Sequence, residues 1–302
     1  MTSPLTIAIT GGTGFLGPYI IEEAASRGHK LRVLARKPDS LSIKLGQNLH
    51  VHKGSLSDIP AEFTTGADVI LHMAGLIKAP TRAAFFDVNG KGTGRLAAAA
   101  QAHQVPCFVY LSSQAATQPQ LSDYCASKRA GETELADHYN GDSVIIRAPA
   151  VFGPEDEATA PFFSFMKLGL LPVPGGRGWR QRKLSLVYAP DLARYVVDEL
   201  ERETRSLTPL IPASIPSLTW QDFADSAGEV MGRKIKVLPL PLPLLKLVAG
   251  VNSALLRRLI NPHLTLGKLS EFLYEDWSVD EAIESPTSLT TALRETLEAL
   301  NT

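Results

Sequence analysis

Short apolar runs alternate with longer amphipathic segments through the first half of the chain. Helical periodicity fits 15–27, 83–103 and 124–139, where apolar residues recur every three or four positions. The apolar runs predict strands at 5–10, 31–35, 49–53, 68–73, 108–111 and 143–147. Apolar strands that alternate with helices are typical of a parallel sheet covered on both faces. We therefore predict an α/β fold, with a Rossmann-like doubly wound parallel sheet that binds ligands at the carboxyl ends of its strands.

The pattern changes after residue 150. Glycine and proline cluster at 149–161 and 172–178, and helical patterns follow at 191–201, 219–231 and 287–300. Thr219 and Asp222 have the spacing of a capping box, and Asp191 is expected to cap the helix after it. We predict one domain over 1–150 and, over 151–302, a smaller and mainly helical cap with a strand or two returning to the sheet.

The stretch Leu238–Leu256 is mostly apolar and nearly as long as a membrane-spanning helix. Lys246, Asn252 and three prolines interrupt it, whereas a membrane-spanning helix needs about 20 apolar residues with few charges. We expect a loop followed by a buried or interfacial helix, and no membrane span.

Composition narrows the class of protein. The chain has 302 residues, 30 basic and 31 acidic, and this balance argues against a nucleic-acid partner. Its two cysteines, Cys107 and Cys125, are too few for a disulfide framework and fit no zinc spacing. Since the first residues also lack a signal-peptide pattern, we expect a reduced, cytoplasmic setting.

A glycine-rich turn lies between the first strand and the first helix. In this segment, Gly11 allows a tight turn, Gly14 lets the backbone approach a pyrophosphate, and Gly17 lets the helix pack closely on the strand. The helix N-terminus then presents N–H groups and the positive end of its dipole to phosphates. We therefore predict that this turn is part of a nicotinamide dinucleotide site. The alternative is a glycine-rich loop that binds no ligand.

The end of the second strand bears on the choice of dinucleotide. An acidic residue here would bind the adenosine 2′-hydroxyl of NAD, but the sequence has Arg36 and Lys37. Because a guanidinium can bind a 2′-phosphate and stack on adenine, Arg36 favours NADP over NAD. The alternative is a solvated strand end.

A phenol and an ammonium are spaced for one helix face. Tyr124 and Lys128 are four residues apart, and an ammonium beside a phenol favours the phenolate. A free tyrosine titrates at about pH 10 and needs such help to act as an acid/base at neutral pH. Ser113 follows the fifth strand, at the edge where ligands bind, and can hold a substrate oxygen.

Together these motifs resemble the extended short-chain dehydrogenase/reductase superfamily, in the branch called NAD-dependent epimerase/dehydratase. The resemblance covers nearly the whole chain. It is carried by TGGTGFLG (10–17), DVILHMAG (68–75), FDVNGKGT (86–93), YLSS (110–113), YCASK (124–128), RAPAVFGP (147–154) and LVYAPDLA (186–193).

The resemblance implies roles for single residues. Tyr124 would be the general acid/base, Lys128 would bind the nicotinamide ribose, Ser113 would orient the substrate oxygen, and Asn89 would hold the geometry of the site. No metal is implied. The residues expected to contact the cofactor are Gly11, Thr13, Gly14, Phe15, Leu16, Arg36, Ser55, Leu56, Met73, Ala74, Gly75, Leu111, Tyr124, Lys128, Pro149 and Val151.

Three departures from the family pattern bear on the substrate. Ser55 follows Gly54 where an aspartate usually faces the adenine, and the segment between Ser113 and Tyr124 is short. Tyr188 stands where a histidine is often found.

Two other groups of side chains are candidate ligand sites. His50 and His52 alternate on a strand, but without a third ligand an ordinary strand is favoured over a metal site. The basic run 179–183 can meet a substrate phosphate or can be a solvated loop.

The sequence thus favours an NAD(P)-dependent oxidoreductase that transfers a hydride between nicotinamide and a hydroxyl or ketone carbon of a small molecule. One alternative is a nucleotide-sugar epimerase with bound NAD; Gln114–Ala115 replaces the acidic pair usual in dehydratases. A second is a non-catalytic sensor or assembly protein, although such proteins typically lack the tyrosine or the lysine. A homodimer is compatible with the resemblance, and the sequence does not name the substrate.

Overall fold

The computed structural model describes residues 3–41, 43, 48–156, 159–253 and 264–300. The chain forms two compact units, which are described separately. The first comprises Met1–Ala148 and Ala193–Leu210, and the second comprises Pro149–Leu192 and Ile211–Thr302. The predicted boundary at residue 150 lies next to the first of these junctions, while the segment 193–210 belongs to the first unit. The predicted assignment of the two parts to cofactor and substrate stays a prediction.

The described strands of the first unit form one parallel sheet. Its strands stand in the order β3-β2-β1-β4-β5-β6, so the chain reverses its direction of travel across the sheet between β1 and β4. This arrangement confirms the predicted doubly wound fold. The strands are β1 (Thr6–Thr10), β2 (Lys30–Ala35), β3 (Leu49–Lys53), β4 (Val69–His72), β5 (Cys107–Ser113) and β6 (Asp142–Ala148).

Helices connect these strands. They are α1 (Gly17–Ser26), α2 (Ala61–Thr64), α3 (Arg82–Phe85), α4 (Gly92–Ala102) and α5 (Asp123–His138), with short 3-10 turns at Pro38–Ser40 and Gln114–Thr117. The prediction of one continuous helix over 83–103 is wrong, because the π-helical segment Phe86–Lys91 separates α3 from α4. A π turn inserts an extra residue into the helix and often marks a functional site.

The core of the first unit explains the apolar strands. Ile7, Ile9, Ile70, Leu71 and Phe108 are fully buried in β1, β4 and β5. Strands buried on both faces lose the alternation of apolar and polar residues, and this is why they read as continuous apolar runs.

The second unit is mainly helical, as predicted, and it also contains two small sheets. In the described residues, β7 (Ala150–Phe152), β9 (Lys183–Tyr188) and β10 (Ile215–Thr219) form one small sheet, and β8 (Leu170–Pro174) pairs with β11 (Lys236–Leu240) in another. The sequence predicts that a strand or two from 151–302 join the large sheet. In the described residues, this pairing is limited to an isolated bridge between Leu210 and Ile146, both in the first unit.

The second unit also contains helices. They are α6 (Ala160–Lys167), α7 (Ala189–Glu201), α8 (Trp220–Met231), α9 (Leu242–Val251), α10 (Leu266–Leu273) and α11 (Leu289–Ala299), and α7 continues from the second unit into the first. Thr219 and Asp222 form the predicted capping box of α8. Residues 254–256, the end of the apolar stretch in the sequence, lie outside the described residues. Within those described, no helix combines the length and apolarity that crossing a membrane requires.

Asp191 has a different role from the one predicted. Helix α7 begins at Ala189, so Asp191 lies inside its first turn and does not precede it as a cap. Its buried carboxylate accepts hydrogen bonds from Ser214 Oγ at 2.6 Å and from the backbone and side chain of Thr287 at 2.9 and 2.7 Å. The carboxylate therefore joins distant segments of the second unit.

A buried ion pair joins β5, α5 and β6 in the first unit. The Glu132 carboxylate of α5 accepts two hydrogen bonds from the Arg147 guanidinium, at 2.9 and 2.7 Å, and one from Ser112 Oγ at 2.7 Å. The Glu132 side chain is 5% exposed and that of Arg147 is 13% exposed. Removing one charge would leave the other buried without compensation, which is far costlier than loss of a surface pair.

We expect Glu132→Gln to lower the free energy of unfolding by about 3 kcal/mol, because Arg147 loses its counter-charge. Chemical denaturation of the full chain measures this. Arg82→Gln is the control, since Arg82 is 64% exposed in its pair with Asp123 and should contribute less than about 1 kcal/mol. Equal effects of the two substitutions would contradict the prediction.

Candidate active site

The glycine turn is built by close backbone approaches. Gly11 has a φ of +82°, and a Cβ at this position would lie 2.6 Å from the backbone nitrogen of Ala74. A Cβ on Gly17 would lie 1.9 Å from the carbonyl oxygen of Gly12. Any larger residue at either position would displace backbone, so the turn can form only with glycine at both.

The outer part of the turn is open. Thr13 and Gly14 are exposed, and a Cβ on Gly14 would meet only the Gly11 carbonyl, at 3.4 Å. Phe15 and Leu16 are half-buried beside the start of α1. This open backbone at a helix N-terminus fits a pyrophosphate group.

The end of β4 lies against this turn. Met73 N donates to the Thr10 carbonyl at 3.1 Å, and Ala74 N donates to Thr10 Oγ1 at 3.3 Å. The segment Met73–Gly75 is therefore held beside the glycine turn, at the switch point of the sheet.

His72 supports the same edge from inside the protein. One imidazole nitrogen lies 2.6 Å from Thr10 Oγ1 and the other lies 3.0 Å from Thr93 Oγ1. Burial and the nearby Lys128 lower the pKa of His72 to about 3, so the ring is neutral and joins β1, β4 and α4. Both threonine partners are distant from His72 in the sequence, so no local pattern predicts these contacts.

The residues expected near the adenosine lie at the ends of β2 and β3. Arg36 directly follows β2 and is exposed. Ser55 and Asp58 form a small antiparallel bridge with hydrogen bonds of 2.9 and 3.0 Å, and the Leu56 carbonyl accepts from Arg95 at 2.7 Å. This loop after β3 is therefore held in place without an aspartate at position 55.

Asn89 connects the loop after β4 to α5. Its side-chain oxygen accepts from Leu76 N at 2.7 Å, and its side-chain nitrogen donates to Leu76 O and to Ser127 Oγ, both at 2.9 Å. Asn89 is buried in the π-helical segment. It lies beside Gly75, where a Cβ would be 3.2 Å from Asn89 Oδ1 and 3.9 Å from Lys128 Nζ.

Helix α5 carries the predicted acid/base pair. Ser122 caps the helix by accepting from Cys125 N at 3.1 Å, which places Tyr124 in the first turn. Tyr124 is half-buried and packs against Phe85, with ring centroids 6.1 Å apart. Lys128 is one turn further along, so both side chains leave the same face of the helix.

The Lys128 ammonium is buried at the carboxyl end of β5. Its Nζ donates to the carbonyl of Leu111 at 3.0 Å and lies 4.6 Å from the centre of the Tyr110 ring. Burial lowers the pKa of Lys128 to about 7, and the Glu132 carboxylate partly opposes that shift. The amine therefore changes charge near neutral pH.

Ser113 ends β5, two residues after Leu111. Its hydroxyl oxygen accepts from Ala115 N at 3.2 Å and caps the 3-10 turn Gln114–Thr117. The structure thus brings Lys128, Asn89 and Gly75 together next to the strand that carries Ser113. The sequence analysis did not identify Glu132 as part of this group. The signal was its spacing, because Glu132 lies four residues after Lys128, just as Lys128 lies four residues after Tyr124.

Other predicted positions lie in the second unit. Pro149 is buried at its start and Val151 lies on β7, and their contact with a cofactor stays a prediction. The Tyr188 hydroxyl donates to the Glu295 carboxylate.

At least one arginine of the basic run 179–183 stabilises the fold. The Arg182 guanidinium is buried and donates to the carbonyls of Pro174 and Gly175 at 2.7 and 3.1 Å. Arg180 stacks on Trp179, with its guanidinium carbon 4.5 Å from the ring centroid. Arg182 therefore stabilises the loop after β8.

Comparison with known proteins places the chain in a family. The sequence model of the NAD dependent epimerase/dehydratase family matches residues 7–206. A ceramide reductase of Caulobacter vibrioides (strain NA1000 / CB15N) is 32% identical over 280 residues, which cover 91% of this chain and 86% of that protein. The mitochondrial NADH dehydrogenase [ubiquinone] 1 alpha subcomplex subunit 9 of Arabidopsis thaliana is 24% identical, over 86% of this chain and 66% of that one.

Among solved structures, the fold is similar to a UDP-N-acetylglucosamine 4-epimerase from Methanobrevibacter ruminantium M1. The TM-score is 0.74 at 20% identity, and the match covers 100% of this chain and 99% of that one. At this identity the likeness concerns the fold alone. With the glycine turn, the switch point and the family match over 7–206 in agreement, the chain belongs to the NAD dependent epimerase/dehydratase family of enzymes.

Proposed function

We propose that this protein is an NAD(P)-dependent oxidoreductase that transfers a hydride between nicotinamide and a hydroxyl or ketone carbon of a small molecule. The proposal rests chiefly on one observation. Lys128 is buried with its Nζ bonded to the end of β5, one helical turn from Tyr124 and next to Asn89. An energetically unfavourable buried lysine beside a phenol is typical of a catalytic site.

The first unit offers the groups that a dinucleotide requires. The glycine turn would hold the pyrophosphate through backbone N–H groups, Met73–Gly75 would lie along the dinucleotide, and Lys128 would bind the ribose of the nicotinamide. When bound, the nicotinamide gives or takes the hydride.

The protein itself moves the proton. In the direction of reduction, the Tyr124 hydroxyl would donate its proton to the substrate oxygen while that oxygen gains charge. The Ser113 hydroxyl would donate a hydrogen bond to the same oxygen and fix its position. The Lys128 ammonium would stabilise the phenolate that remains on Tyr124.

Reduction is favoured over sugar epimerisation by two observations. The relative at 32% identity is a ceramide reductase, whereas the epimerase likeness is one of fold. In addition, the basic run that suggested a nucleotide-sugar phosphate has Arg182 engaged with backbone carbonyls. The ketone analogue of a ceramide is therefore the first substrate to test, beside UDP-sugars.

NADP is proposed over NAD because Arg36 is exposed at the end of β2, where a 2′-phosphate would lie. A reducing, cytoplasmic location is proposed as well, because Cys107 and Cys125 are buried and are not joined in a disulfide.

We expect Tyr124→Phe to lower turnover of a carbonyl substrate by about 100- to 10,000-fold, because the proton donor is lost. Binding of NADPH, followed by fluorescence titration, should be nearly unchanged. Tyr195→Phe removes a hydroxyl from α7 and is the matched control, with wild-type turnover expected. Wild-type turnover in Tyr124→Phe would exclude the acid/base role.

Arg36→Gln should weaken NADPH binding at least about tenfold and leave NADH binding nearly unchanged, because a charged hydrogen bond to the 2′-phosphate is lost. Lys30→Gln removes an exposed cation at the opposite end of β2 and should leave both affinities unchanged. Equal weakening for NADH and NADPH would rule out the 2′-phosphate role of Arg36.

NADH binding should weaken as the pH rises from about 6 to about 8. The Lys128 ammonium is present below its pKa of about 7 and is lost above it, so the dissociation constant should increase about tenfold across this range. Lys128→Met should bind weakly with no such slope, and the exposed control Lys91→Met should keep the slope. A slope that persists in Lys128→Met must come from another group.

A further inference from the structure

Helix α9 exposes most of its apolar side chains. Of its ten residues, Leu245 and Ala249 are buried, and both pack with Leu269 of α10. Four others remain exposed, by 53% for Leu244, 66% for Leu247 and 42% for Val248 and Val251.

The exposed residues form a continuous stripe. Positions 244, 247, 248 and 251 follow the i, i+3, i+4, i+7 spacing of one helix face. The outer face of a surface helix is normally polar, and a clustered apolar face marks an interaction site. Leu266, which is 47% exposed at the start of α10, adds to the apolar surface of this helix pair.

The stretch of sequence that contains α9 has an excess of basic residues. Between Glu229 and Glu271 the sequence has no Asp or Glu and seven Lys or Arg, in a chain whose totals are nearly balanced. One of the seven, Lys268, is paired with Glu271 at 2.8 Å. Another, Lys246, is exposed on α9, on the side of the helix away from the apolar stripe. An exposed apolar helix face within a basic segment is typical of helices that lie on anionic membranes.

We propose that α9 docks on an anionic lipid bilayer, with the stripe Leu244, Leu247, Val248 and Val251 inserted among the acyl chains and Lys246 at the headgroups. A helix of ten residues is about 15 Å long, which is too short to span, so it would lie in the plane of the interface. This inference does not depend on the chemistry proposed for the first unit.

A lipid surface fits this face better than a second copy of the chain. In a two-fold symmetric dimer, the same patch meets itself, so the basic groups of one copy would oppose those of the other. Anionic lipids instead supply the complementary charge together with an apolar phase.

Vesicle co-sedimentation of the full chain tests the proposal. We expect binding to vesicles of equal parts phosphatidylcholine and phosphatidylglycerol, and much weaker binding to phosphatidylcholine alone. The double substitution Leu244→Gln with Leu247→Gln keeps helix propensity and should weaken binding at least about tenfold. Lys246→Gln should weaken binding to the mixed vesicles about fivefold.

Leu207→Gln is the control, because Leu207 is fully exposed in the first unit and should not affect binding. Circular dichroism of each variant checks the fold. The proposal is overturned if the wild type does not bind the mixed vesicles, or if the double variant binds as well as the wild type. It is also overturned if analytical ultracentrifugation shows a dimer that the double variant abolishes while vesicle binding is absent, since a second copy then covers the face.

Discussion

The contact between the Gly11 backbone and the end of β4 is the constraint on which the site depends. A Cβ at Gly11 would lie 2.6 Å from Ala74 N, and one at Gly17 would lie 1.9 Å from Gly12 O. These approaches set the turn, the start of α1 and the position of Met73–Gly75 at the switch point of the sheet. Since the sheet leaves a crevice at this point, the same contacts that fix the fold also shape the place where we propose that a dinucleotide binds.

A second close approach positions the chemistry. A Cβ on Gly131 of α5 would lie 2.4 Å from the carbonyl of Asn89 and 2.5 Å from the hydroxyl of Tyr110. Because α5 packs this tightly on the π-helical segment, the Asn89 side chain reaches Ser127 as well as Leu76. The π turn and the glycine together hold the loop after β4 next to Lys128.

The sequence predicted the first unit well because its strands are buried on both faces and its motifs are local. The six strands and the placement of Tyr124 and Lys128 on one helix followed from patterns over a few residues. The π turn at 86–91 depends on packing against α5, and the partners of Asp191 come from Ser214 and Thr287, so no local pattern predicts either one. The small sheets of the second unit contain prolines, such as Pro172, and prolines conceal strands in a sequence.

Helix α5 combines three charged or polar side chains at successive turns, Tyr124, Lys128 and Glu132. Burial alone favours a neutral Lys128, and the Glu132 carboxylate favours its ammonium form. That carboxylate is itself bound to Arg147 and Ser112, which hold it in place beside Lys128. The resulting balance leaves the amine with a pKa of about 7. The protonation state of Lys128 thus depends on contacts between β5, α5 and β6, and the ion pair that stabilises the first unit also adjusts the charge at its candidate active site.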